Sequence, residues 1–148
     1  MLFRSPKPSR LACRSRRRRS GSGEALVYLF RLPEGLPSFR AAHFFVDGRP
    51  VVSLKGNGCT VLRVPAGDHR FSQGWTRELR EYGGDFGPQH IDARLEPGKT
   101  YYYELWSALT GPGTPNSSHF IPTHRVSAEK EMFRCRYAPA ADLATPAG

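Results

Sequence analysis

The chain opens on a stretch without periodic apolar positions and becomes patterned only from Glu24. Ala25-Leu26-Val27-Tyr28-Leu29-Phe30 is apolar at every position and six residues long. A run that short, rich in aromatic and β-branched side chains, predicts a strand covered on both faces rather than a helix. Pro33, Gly35 and Pro37 end it. A second strand is expected over Ala42 to Val46, closed by Asp47-Gly48, a pair that favours a hairpin because glycine accepts positive φ. The return strand is Val51 to Leu54. Gly56-Asn57-Gly58 turns into a strand from Cys59 to Val64. Pro65 to Asp68 turns again into His69 to Trp75.

Residues 76–88 break this rhythm, mixing charges with isolated apolar groups before Gly83, Gly84, Gly87 and Pro88. They read as a long loop or a protruding hairpin. Regularity returns at His90 to Leu95. Pro97-Gly98 leads into Lys99 to Trp106, where alternation points Tyr101, Tyr103 and Leu105 inward and Tyr102, Glu104 and Trp106 outward. Thr110 to Ser118 is expected to be loop, followed by a final broken strand around Pro122 made of His119-Phe120-Ile121 and Arg125-Val126. Ser127 has the chemistry of a helix N-cap, with a short helix over Ala128 to Arg136. Seven or more short strands between turns predict an all-β fold, an antiparallel β-sandwich with a short C-terminal helix. The expected organisation is a disordered Arg-rich tail over 1–23, a β-sandwich domain over 24–137 and a disordered tail over 138–148.

Charge sharpens that division. Residues 1–20 hold eight Lys or Arg and no acid, whereas the 14 remaining Lys or Arg nearly balance 13 Asp or Glu. The net charge of +9 therefore belongs to an appendage, and the domain is nearly neutral. Such a tail cannot bury a core. Arg14, Arg16, Arg17, Arg18 and Arg19 are expected to contact nucleic acid or anionic lipid without specificity.

No apolar run approaches the roughly 18 residues that cross a bilayer as a helix, so no transmembrane segment is expected. Arg4, Pro6 and Pro8 interrupt the apolar core that a secretory signal needs. If this N-terminus is the true one, a cytoplasmic location follows. Three cysteines form no CxxC pair and no zinc spacing. Cys59 and Cys135 read as unpaired or buried thiols, or as a disulfide in an oxidising compartment.

Catalytic patterns are weak. The five histidines fall on separate segments, so neither a metal site nor a cofactor is expected. No serine sits in a nucleophile elbow. Gly56-Asn57-Gly58 and Gly83-Gly84 lack the Lys-Ser/Thr of a phosphate loop. The outward aromatics carry more information. Trp75, Arg77, Arg80, Tyr82 and Phe86 surround the long loop, and Tyr102 and Trp106 lie on the outer side of a strand. Either a helix or second sheet covers these aromatics, or they form a patch for a protein or glycan partner.

Four segments in order, Ala25-Leu26-Val27-Tyr28, Phe45 to Val51, Leu62 to His69 and Leu95 to Tyr102, carry a resemblance. Together they resemble an uncharacterised domain-of-unknown-function family of small bacterial envelope proteins, many of them lipoproteins. Val46-Asp47-Gly48 followed by Val64-Pro65-Ala66-Gly67-Asp68-His69 also resembles the PEGA-type β-module. The resemblance covers roughly residues 25–106. It implies an immunoglobulin-like or PEGA-like sandwich, an envelope or periplasmic setting and no catalytic residues. The expected function is then a noncatalytic binding or accessory module of the bacterial cell envelope. The alternative is a cytoplasmic protein acting through its basic tail.

Overall fold

The all-apolar run at Ala25 becomes the centre of the molecule. In the computed structural model, which describes residues 23–33, 40–79, 89–111 and 114–143, it forms β1 (Glu24–Arg31). Ala25, Val27 and Leu29 enter the main core on one face. Tyr28 and Phe30 enter a second cluster on the other. A strand buried on both sides needs apolar residues at both parities, which is what this segment supplies.

The other strands are β2 (Ala42–Val46), β3 (Arg49–Leu54), β4 (Gly58–Pro65), β5 (Gly67–Gly74), β6 (Gln89–Leu95), β7 (Thr100–Gly111), β8 (Thr114–Thr123) and β9 (Arg136–Tyr137). They make two sheets, a five-stranded one ordered β8-β7-β1-β4-β9 and a four-stranded one ordered β3-β2-β5-β6. Phe44, Leu54 and Phe71 from the smaller sheet join Leu29, Leu62, Leu105 and Phe120 from the larger in one core. The Asp47-Gly48 hairpin forms as expected, with φ of 52° and 81° at its two central residues, both in the range of an inverse-type tight turn.

Four expectations are corrected. The larger sheet is mixed rather than antiparallel, because β1 runs parallel to β7 and β4 parallel to β9. After β1 the chain crosses to the other sheet and returns, so β1 takes neighbours distant in sequence. Second, Thr110 to Ser118 is mostly strand. Pro115 and Pro122 are tolerated because β8 lies at the sheet edge, and register shifts after Ala108 and Leu109 absorb the irregular composition.

Third, helix α1 spans Arg125–Glu131, with His124 at the N-cap position and no side-chain cap bond, and a 3₁₀ turn follows over Met132–Arg134. Its start is set by the end of β8 and by the need to turn Ala128 and Met132 onto Tyr28 and Tyr102. Fourth, the C-terminal tail does not begin at residue 138. The Ala138 amide donates to the Cys59 carbonyl, Thr60 Oγ1 donates to the Ala138 carbonyl, and Ala140 and Leu143 pack on the main core.

Cys59 and Cys135 form a disulfide, with Cα atoms 5.7 Å apart, which fastens the C-terminal segment to β4. Both cysteines are buried. The expectation of free thiols thus gives way to its alternative.

Candidate functional site

Three regions gather the polar and aromatic chemistry. The first is the end of the core near Trp75. β1 alternation continues to Arg31, whose side chain enters the interior and is fully buried. Arg31 Nη1 donates to the Leu54 carbonyl at 3.0 Å and to the Arg40 carbonyl. Its guanidinium stands 5.0 Å from the Trp75 ring centroid, and that of Arg40 stands 6.0 Å from it. The Trp75 indole N–H donates to Ser118 Oγ at 3.1 Å. Burial, followed by the charges of Arg77 and Arg40, holds the His43 imidazole below its ordinary value.

These contacts correct the placement of Trp75. At 8% exposure it is a core residue, because a ring held by two guanidinium groups and an indole hydrogen bond has little surface left to offer. Arg77 is exposed at the same end. Arg80, Tyr82 and Phe86 lie outside the described residues, as do Arg14, Arg16, Arg17, Arg18 and Arg19.

The second region is the outer face of the smaller sheet. A depression of about 420 Å³ is lined by Asp47, Asp68, His69, Arg70, Asp92, Ala93 and Arg94. Its charges face one another. Arg70 meets Asp92 in a two-pronged contact at 2.7 and 3.0 Å, and this hydrogen bonding holds the Asp92 carboxyl below the usual range. His69 presents Nδ1 to Asp47 Oδ2 and Nε2 to the Pro65 carbonyl, each at 2.6 Å. Neither nitrogen is left to act on a substrate. Two Ser-His contacts, His43 with Ser53 and His90 with Ser72, are between residues directly opposite on paired strands. Sheet register explains both, and the Ser72 hydroxyl belongs to a buried residue. Among the described residues no group of three or more His, Cys, Asp or Glu could hold a metal ion.

The third region is the outer side of the larger sheet. Here α1 lies across Tyr28 and Tyr102, whose rings stack with centroids 5.1 Å apart. Tyr102 is only 7% exposed, so its expected role as a contact residue is also corrected: the helix covers it. Trp106 stays open at 41% and stacks on His119 with centroids 5.0 Å apart. Ile121 is 44% exposed beside it on β8. On the helix and the turn after it, Val126 is 81% exposed and Phe133 58%. These four are the exposed large apolar side chains among the described residues, and all lie on this side of the molecule.

Glu104 stands between Ile121 and Phe30 in the sheet register. Burial, then repulsion from Glu131, pushes its carboxyl above the ordinary 4.5. A raised folded-state value means the fold binds this proton better than the open chain, so stability falls as pH rises from the ordinary value through the folded one. Glu104→Gln is therefore expected to raise the melting temperature at neutral pH. The gain should vanish below the ordinary glutamate value, as followed by thermal unfolding across the acid range.

Of this surface, sequence reasoning singled out Trp106 and missed His119, Ile121, Val126 and Phe133. His119 and Ile121 lay in the segment read as a broken strand, where alternation about the inward Phe120 places both on the outer face. Val126 was hidden by capping the helix at Ser127, which left it in the broken strand, whereas Phe133 lay inside the expected helix and its exposure was not drawn from it. No protein-family model matches the chain, and no curated protein matches it.

Proposed function

We propose that this chain is a noncatalytic binding module of the bacterial cell envelope, built as an immunoglobulin-like or PEGA-like β-sandwich. Its contacting surface is the outer side of the five-stranded sheet. The observation that carries this reading is the gathering of Trp106, Ile121, Val126 and Phe133 on that one side. Exposed apolar groups scattered singly need no explanation, but a one-sided set marks an interaction surface. The opposite outer face carries self-paired charges instead.

Two further features support the reading. A buried disulfide suits an oxidising compartment, which weighs against the cytoplasmic alternative. The histidines nearest to catalytic geometry are engaged by cross-strand serines, or by a carboxylate and a carbonyl, in contacts that the sheet itself accounts for.

Sedimentation of the purified full-length protein with isolated bacterial envelopes tests the proposal. Trp106→Ala with Ile121→Ser should greatly reduce co-sedimentation. Asp92→Ala with Arg94→Ala on the opposite face should not. Equal retention of both variants would reject the assignment of this face.

A further inference from the structure

We infer that the outer side of the five-stranded sheet docks on an anionic lipid surface, with the ridge formed by Val126, Lys130 and Phe133 entering the interface. The inference rests on the reading of this side as the contacting surface and names its partner.

The geometry begins with the helix. Ala128 and Met132 turn inward and are buried, as the helical period requires. Val126 and Lys130, four residues apart, then lie on the outward side, and Phe133 follows in the 3₁₀ turn. A helix seated on a protein core ordinarily presents a polar outer stripe. This one is apolar inside and again at Val126 and Phe133 outside. Because the ridge stands out from the sheet, a protein partner would need a matching groove. A bilayer interface takes a protruding apolar group without one.

Charge complementarity selects the kind of lipid. Lys130 and Arg134 are exposed beside the two apolar side chains, and Arg134 lies 5.9 Å from the Phe133 ring centroid. Arg125 is paired with Glu129 at 3.1 Å, and Glu131 is the acid exposed on the helix. The chain adds eight Lys or Arg and no acid in its first 20 residues, and β1 of the same sheet follows at Glu24. Basic groups near an anionic surface attract it additively, while apolar groups supply the part that salt does not screen. Durable attachment to membranes ordinarily needs two such signals together. Trp106 on the same side has the amphipathic ring that favours the headgroup region.

Full-length protein should co-sediment with vesicles of phosphatidylcholine and phosphatidylglycerol in equal parts, and not with phosphatidylcholine alone. Val126→Ser with Phe133→Ser should weaken that affinity by about tenfold or more, as should Lys130→Glu with Arg134→Glu. All of these side chains are exposed, so each variant should keep the parent's melting temperature within about 2 °C. A tryptophan introduced by Phe133→Trp should shift its emission to the blue on the anionic vesicles and be quenched by brominated acyl chains. Parent-like binding of the Val126→Ser, Phe133→Ser variant would mean that the basic N-terminal residues act alone, and would overturn the proposal. So would failure of the parent to bind. If Trp106→Ala with Ile121→Ser still lost envelope retention in that case, only the lipid assignment would fall. If envelope retention were unaffected as well, the face itself would be wrong.

Discussion

Removing the Cys59–Cys135 disulfide is expected to cost about 4.5 kcal/mol, from the chain entropy released when a loop with a sequence separation of 76 is opened. The bond holds more than two sulfurs. Asn57 Nδ2 donates to the Arg134 carbonyl at 2.9 Å, the Arg136 amide donates to the Asn57 carbonyl at 2.7 Å, and the Ala138 amide donates to that of Cys59 at 2.9 Å. All three bonds cluster around the cystine, so the C-terminal segment should loosen first. That segment carries α1, the lid over Tyr28, Phe30 and Tyr102. Because both cysteines are buried, the Cys59→Ala, Cys135→Ala double variant is a cleaner test than added reductant. Urea unfolding should show the loss in full. An unchanged midpoint would mean that the segment is held without the bond.

Truncating Trp75 to alanine is expected to cost about 3–5 kcal/mol, the range for large buried aromatics. The loss has two parts. The ring's cavity opens among the apolar residues of the core, and the buried Arg31 guanidinium loses the face it stacks on at 5.0 Å. Ser118 Oγ also loses the indole donor. Denaturant unfolding of Trp75→Ala measures the sum. A loss under about 1 kcal/mol would return Trp75 to the surface, where an exposed aromatic contributes little to folding.

The contrast between Trp75 and Trp106 shows what the sequence holds. Alternation in β7 made Trp106 point outward, because period two fixes the face of a strand whatever its neighbours. The same rule pointed Tyr102 outward, and that direction is right. What alternation cannot tell is whether another element lies over that face. Whether α1 crosses Tyr102 or Trp106 depends on where β8 ends and the chain turns. Trp75 ends the run His69 to Trp75 that reads as a strand, and period two already places it on the face of Phe71, but its position beside the long loop drew it to the surface reading. Its burial depends on Arg31 and Arg40, which come from a different part of the chain.

Strand positions and tight turns were readable because they are local. Asp47-Gly48 determines its own hairpin, and Ala25 to Phe30 announces burial on both faces by its composition. The parallel pairing of β1 with β7 was not readable, since no turn joins them and only the packed sheets bring them together. The helix was misplaced for a related reason. Ser127 has the side chain of a cap, yet the cap position falls at His124, three residues earlier, just after β8 ends at Thr123. Tertiary demand on Ala128 and Met132 outweighs local capping, and with that phase the outward position of Val126 follows.

The central claim is that the two outer faces of this protein differ in kind, one making contact and the other solvated. Site-specific photocrosslinking tests it most directly. Benzoylphenylalanine is placed singly at Trp106, Ile121 or Phe133, and for comparison at Asp92 or Arg94, in the full chain within bacterial cells. Adducts are predicted from the first three positions and not from the last two. Adducts from Asp92 and Arg94 with silence at Trp106, Ile121 and Phe133 would contradict the account.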